Sequence, residues 1–366
     1  LLFLELIKEF TMKDYGSDSK SALQAKFDAQ KIAFAPIMFQ AARALRNLGI
    51  LAYLLKNKRN GSGVEEISQN LELSVYGVKV LLEAAISLEM VYVKDEKYYL
   101  TKTGYFILAD ELTRINMDFP QDVNYLGMNH LEESIKHGKP EGLKVFGDWA
   151  TVYEALSELP NHGRKSWFAF DHYYSDQAFP ELLEHIESNN PDYILDVGGN
   201  TGKFSIFCAK NIDNVHMTIL DLPGQIEEAD KNIKDEGLTD RISTHSIDLL
   251  NNDIPFPKGN NIVWMSQFLD CFSKEEILGL LNRSFAALDS KGALYILETY
   301  WDMQAFEAST YSLHATSLYF TAIANGNSQM YHSNDMIELL EMSNFYVDKV
   351  IKDIGVSHTL LICKKK

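Results

Sequence analysis

The sequence predicts an α/β protein in which a mainly α, winged-helix-like front part precedes a doubly wound parallel sheet. Three observations carry this. In the back half, short apolar runs that read as buried strands finish at carboxylates and alternate with helical patterns. One of these runs, from Tyr193 to Val197, passes through Asp196 into the glycine turn Gly198-Gly199-Asn200-Thr201-Gly202. The front half keeps a helical period as far as Met90 and then switches to two short strands.

Taken in chain order, Leu1 to Phe10 is apolar but carries acids, lacks a basic leader and is too short to span a bilayer, so it reads as the start of an amphipathic helix. The stretch Ala41 to Leu55 is an apolar helix interrupted at Gly49. Val64 to Leu71 and Ser74 to Ala85 form a helix-turn-helix, and Val91 to Lys94 with Lys97 to Thr101 form a hairpin turning at Asp95-Glu96. Helix, helix, helix, hairpin is a winged-helix pattern. Its second helix carries Lys79 as its lone cation among Val, Leu and Glu, which suits a protein partner better than base edges or phosphates. Further on, Trp167-Phe168-Ala169-Phe170-Asp171-His172-Tyr173-Tyr174 is a dense aromatic cluster. Trp167 and Phe170 read equally well as core, whereas His172, Tyr173 and Tyr174 carry polar ends that suit a pocket.

The glycine turn carries the most chemistry. A dinucleotide fingerprint needs G-x-G-x-x-G, and Asn200 stands where its second glycine belongs. The pattern present is D-x-G-x-x-x-G, suited to a nucleotide cofactor with no pyrophosphate to cradle. Thr218 to Asp221 is the next apolar strand, and its acid falls roughly twenty residues beyond the turn, where doubly wound folds hold ribose hydroxyls. Arg241 to Leu249 reads as a third strand ending in Asp248. Any one of these acids could be a turn or helix-cap residue; three in order at strand ends are much more specific.

Composition narrows the classes. The chain has 366 residues, enough for two domains, and 46% of them are apolar, enough for a large core. A net charge of −17 argues against nucleic acid as partner. Cys208, Cys271 and Cys363 are too few and too scattered for a disulfide framework or a zinc site, which fits a reducing cytoplasm. No His, Asp or Glu cluster has metal-ligand spacing, and no membrane segment is evident.

The glycine turn resembles motif I of class I S-adenosylmethionine-dependent methyltransferases. Joined to a winged-helix front, it is similar to the plant-type and bacterial small-molecule O-methyltransferases of the acetylserotonin and caffeate type. The resemblance covers roughly residues 27 to 366. It implies a seven-stranded Rossmann-like sheet, S-adenosylmethionine as cofactor, a small-molecule acceptor with a phenolic or enolic hydroxyl, and a homodimer made through the front domain. The implied divisions are 1–110 for dimerisation, 111–180 for a helical connector contributing to the acceptor pocket, and 181–366 for the cofactor-binding domain. The implied cofactor residues are Asp196, Gly198, Gly199, Gly202, Asp221 with Leu222, Asp248 with Leu249, and Ser266 with Gln267 at the end of the strand Asn261 to Ser266. The connector supplies His172, Tyr173 and Tyr174 to the acceptor, joined by Tyr319.

The catalytic positions depart from that family. Aligned on Phe272-Ser273 and Glu275-Glu276, the family's basic histidine position holds Asp270. An ordinary carboxylate is a much weaker base than imidazole. Burial or an acidic acceptor would remedy this, and a plain helix cap is the competing role. Glu298, 28 residues later at the end of the next strand, matches the acid beside the histidine. Two close carboxylates would share a proton. Gln329 stands at the family's second flanking acid, followed by Met330 where arginine is usual, while His332 nearby could supply a displaced imidazole. This eroded set leaves open a non-catalytic cofactor-binding protein, or a non-methylating reaction on the same fold.

Overall fold

The computed structural model describes residues 15–156 and 158–366, so the expected amphipathic start over Leu1 to Phe10 lies outside the described residues. These residues divide into two compact units, 15–122 and 123–366. The stretch 111–180, expected as one connector, is shared between them: the helix Glu111–Phe119 belongs to the first unit and the helix Asn161–Asp176 to the second.

The first unit is the helical front with its hairpin. Ser21 caps the helix Ala22–Asn47 by accepting from the Gln24 amide. Gly49, at φ 80°, turns the chain into Ile50–Lys56, the interruption the sequence predicts. The helices Val64–Leu71 and Val75–Ser87 follow, then strands β1 (Val91–Lys94) and β2 (Lys97–Leu100), which pair antiparallel. Asp95 and Glu96 take φ of 51° and 59°, the left-handed pair that a two-residue hairpin demands. Leu45, Ile50, Leu51, Leu54, Ile67, Val78 and Leu82 form its core. The first half of the long helix stays outside that core: Leu23, Phe27, Ile32 and Ile37 are 81%, 55%, 77% and 66% exposed, and Pro36 lies among them.

The second unit is built on a seven-stranded sheet. Its strands are β3 (Tyr193–Val197), β4 (His216–Asp221), β5 (Ile242–Ser246), β6 (Asn260–Ser266), β7 (Leu288–Glu298), β8 (Phe345–Ile354) and β9 (His358–Lys365). Their order is β5-β4-β3-β6-β7-β9-β8, parallel except for β9, which runs antiparallel to both β7 and β8. Side chains alternate between two apolar layers. Leu195, Val197, Val263, Met265, Leu294 and Ile296 enter one layer; Ile194, Ile262, Trp264, Tyr295 and Leu297 enter the other. Burial on both faces is why these strands read as continuous apolar runs. The strand order reverses at β3, which has β4 on one side and β6 on the other. A crevice opens outside the carboxyl ends of strands at such a point, where open α/β sheets bind ligands.

Candidate active site

That crevice is occupied by the glycine turn. Gly198 and Gly202 take φ of 76° and 79°, and Asn200 takes 49°. A Cβ on Gly198 would come within 2.2 Å of the Phe268 ring, and one on Gly199 within 2.8 Å of the Asp196 carboxylate and of Ile219. Glycine is required here because the backbone passes so close to its neighbours. The pocket at the turn is lined by Asp196, Gly198, Gly199, Asn200, Thr201 and Lys203 on one side. Ser266 and Gln267 from the end of β6 also line it, with Asp171, His172 and Ser175 from the helix Asn161–Asp176.

Two buried acids brace the turn. Asp196, 2% exposed, accepts from Ser205 Oγ at 2.6 Å. Burial pushes its carboxyl up to about 7, with the Asp221 charge adding to the rise and the Ser205 bond opposing it. Asp221, at the end of β4, accepts from the Asn200 and Leu222 amides at 2.7 Å each. Burial raises its carboxyl as well, against those two bonds. Asp221 therefore ties the glycine turn to the next strand while keeping lone pairs for a hydroxyl-bearing ligand.

Asp248 sits two residues beyond β5, exposed, with Oδ1 accepting from the Leu250 amide at 2.9 Å. The expected strand end is thus a turn. Leu249 is turned away from the surface into the core layer behind the sheet.

Asp270 lies past the end of β6, in the short turn Leu269–Cys271, and is buried. It does not cap the next helix. Ser273 does, in a reciprocal capping box with Glu276. Burial drives the Asp270 carboxyl up to about 6 against the neighbouring Cys271 thiol, whose Sγ is 3.5 Å from Oδ1. Its basicity thus comes close to that of imidazole. Glu298, at the end of β7, accepts through Oε1 from the Phe268 and Leu269 amides at 2.9 and 2.8 Å. Its Oε2 is buried without a hydrogen-bond partner. Burial first, and the Asp270 charge second, hold Glu298 well above the usual carboxylate range. The two carboxyls raise each other, so the pair holds a proton more readily than either would alone.

Four tyrosines surround this pair. Tyr153, Tyr300, Tyr319 and Tyr331 all feel the Asp270 charge, and all are raised, chiefly by burial. They are neutral hydroxyls beside a buried anion. Tyr319 accepts from Trp167 Nε1 at 2.8 Å, and Tyr331 donates to the Phe272 carbonyl at 2.6 Å. Of these rings, sequence reasoning singled out Tyr319 and missed Tyr153, Tyr300 and Tyr331. It also passed over Asp171 and Ser175, whose spacing of four residues puts both on one helix face, a signal the sequence did hold.

Several expected residues stand elsewhere. Gln329 is exposed, so its amide meets solvent instead of the buried carboxylates, while Met330 turns inward and its sulfur accepts from Thr299 Oγ1 at 3.4 Å. Tyr173 and Tyr174 pack edge to face at 6.1 Å, outside the residues that line the crevice. His332 caps the helix Ser333–Met342, with Nδ1 accepting from the Asn334 amide at 3.0 Å; it serves that helix end and not Asp270. Among the described residues no group of His, Cys, Asp and Glu is arranged to hold a metal, and no helix is long and apolar enough to cross a membrane.

Residues 26–98 match the Dimerisation2-like domain, and residues 128–345 match the O-methyltransferase domain. Among curated proteins, the L-tyrosine C(3)-methyltransferase of Streptomyces lavendulae is 26% identical over 318 residues, 86% of this chain and 85% of that protein. Among solved structures, the apo form of the S-adenosylmethionine-dependent methyltransferase SibL superimposes with a TM-score of 0.71 at 22% identity, over 92% of this chain and 98% of the other. The mitomycin 7-O-methyltransferase MmcR gives 0.69 at 14% identity, over 94% and 98%. At these identities the two structures establish a shared fold.

Proposed function

The chain belongs to the O-methyltransferase domain family of S-adenosylmethionine-dependent methyltransferases, and within that family we propose that it methylates a phenolic or enolic hydroxyl of a small aromatic or polyketide-like molecule, with Asp270 as the base. The observation that carries this reading is a buried carboxylate, raised to about 6, at the carboxyl end of the sheet and two residues beyond Phe268, whose ring packs on Gly198 of the glycine turn.

The residues present fit the cofactor. The close-packed glycine turn leaves room for a ligand at the switch point, and buried acids suit a ligand bearing hydroxyl donors and positive charge. Asp221 is assigned to the ribose hydroxyls and Asp248 to the adenine side. Asp196, Gly198 to Gly202, Ser266 and Gln267 are assigned to the remainder. When bound, S-adenosylmethionine supplies a sulfonium methyl whose C–S bonding pair leaves with sulfur as the acceptor's oxygen pair forms the new C–O bond. Asp270 receives the hydroxyl proton on a carboxylate oxygen. Glu298 holds the backbone of Phe268 and Leu269 and so fixes the turn that presents Asp270. His172 and Tyr319 are assigned to the acceptor's surroundings.

A second reading, methylation at a ring carbon, is favoured by the tyrosine C(3)-methyltransferase relative. A phenolate can attack through oxygen or through the adjacent ring carbon, and both routes need the same deprotonation. The test is incubation with S-adenosylmethionine and a panel of phenols, with products resolved by mass spectrometry and titrated for free phenol. Methyl ethers support the first reading, while methylated rings that keep their phenol support the second. Tight calorimetric binding of S-adenosylhomocysteine with no transfer to any phenol would defeat both.

The homodimer is assigned to the front unit, supported by its match to the Dimerisation2-like domain and by the exposed apolar residues of the helix Ala22–Asn47. The double substitution Phe27→Glu, Ile37→Glu is expected to convert a sedimenting dimer to a monomer; a dimer that survives it would exclude this face.

A further inference from the structure

Tyr153 is the unexplained member of the tyrosine ring. It stands on the short helix Val152–Ala155, whose Val152 and Ala155 are fully buried. That helix packs against the segment Phe320–Ala324, and the next residue, Asn325, donates to the Cys271 carbonyl. The ring is thereby anchored to the turn that carries Asp270. Its hydroxyl is sealed from solvent and has no hydrogen-bond partner. The Cys271 thiol, a weak sulfur acceptor, lies alongside, and the Tyr319 hydroxyl and the Asp270 carboxylate are close enough to act on it electrostatically. Burial and these neighbours hold the Tyr153 phenol well above its ordinary value, so it remains a donor throughout the working range.

A buried donor without an acceptor carries an uncompensated desolvation cost, which native proteins rarely retain without a use. Beside it stands a buried anion that can accept a proton. A ligand that satisfies both groups must itself offer a donor to Asp270 and an acceptor to Tyr153, at neighbouring positions. We propose that the Tyr153 hydroxyl is an acceptor-orienting donor, selecting aromatic molecules that carry a lone-pair oxygen on the carbon next to the reacting hydroxyl. Tyr331 cannot fill this role because its hydroxyl is committed to the Phe272 carbonyl. Tyr300 lies in the core layer and feels the Glu298 charge ahead of that of Asp270.

This inference rests on the phenol-methylating reading above, and the experiment separates the two. The probes are 2-methoxyphenol and 2-ethylphenol, alike in shape and differing by an ether oxygen in place of a methylene. Wild-type protein is expected to methylate the methoxy compound with a kcat/KM about 10-fold higher, the size of one well-placed hydrogen bond in a buried site. Tyr153→Phe, which deletes one oxygen, is expected to erase that preference, lowering kcat/KM for 2-methoxyphenol about 10-fold more than for 2-ethylphenol, while S-adenosylhomocysteine affinity stays intact. Equal discrimination by wild type and variant would overturn the assignment while sparing the phenol reading. Loss of S-adenosylhomocysteine binding in the variant would reassign Tyr153 to structure. Absence of transfer to either probe by wild type would overturn this inference together with the reading beneath it.

Discussion

Replacing Asp270 by asparagine is expected to lower kcat by roughly 10² to 10⁴, the usual contribution of a positioned general base, with S-adenosylhomocysteine affinity unchanged. The amide keeps the shape of the side chain and cannot take a proton. Stability should move the other way. The folded carboxyl of Asp270 is raised to about 6 from an ordinary 3.8. Its favourable contribution is therefore complete below about pH 4 and is lost as pH climbs through about 6. At pH 8 the native chain buries this group as an anion, and Asp270→Asn removes that cost, so its thermal midpoint at pH 8 should rise. The acceptor kcat/KM of the wild type, measured at saturating methyl donor, should show an acid limb at or somewhat below pH 6, since the donor's positive charge stabilises the carboxylate. The limb should vanish in Asp270→Asn. A variant with wild-type kcat would remove Asp270 from the chemistry.

The second large effect concerns Glu298, and it separates two ways of using a carboxylate pair. If Glu298 is the protonated partner, Glu298→Gln preserves both the acceptor for the Phe268 and Leu269 amides and a neutral group toward Asp270. Activity should then fall no more than a few-fold. Glu298→Ala strands two buried amides, and the expected loss of stability is about 1–3 kcal/mol per unsatisfied group. The presenting turn relaxes with it, and kcat should fall far more than in the glutamine variant. Should Glu298→Gln be as inactive as Asp270→Asn, the pair titrates as a shared base and Glu298 is not the standing holder of the proton. Chemical denaturation and steady-state kinetics on the two variants decide it.

The parts that were legible in the sequence are those written locally. The strands β3, β4 and β6 and the glycine turn follow from short apolar runs and from one spacing, and the hairpin from two residues tolerant of positive φ. Asp248 fell beyond its strand because β5 ends where its pairing with β4 ends, at Ser246 opposite Asp221, and no local pattern marks that limit. The pairing of Asp270 with Glu298 was legible, but the rings around it were not. Its basicity depends on burial among Tyr153, Tyr300, Tyr319 and Tyr331, which come from four separate stretches of chain and meet only in the folded unit. Gln329 was misjudged for a related reason. Alignment fixed its position in the loop but not its direction, and Met330 is the residue that faces inward.

The long front helix has a consequence for how this protein holds together in solution. Between Ser21 and Pro36 it has almost no buried surface in one chain, and an isolated helix of that length is marginal in water. If a second copy covers those residues, the order of the segment becomes a matter of mass action: complete at concentrations well above the dissociation constant of the pair, and lost on dilution below it. The melting of the front unit would then shift with protein concentration, while the sheet unit, with both its apolar layers internal, would melt at a temperature indifferent to it.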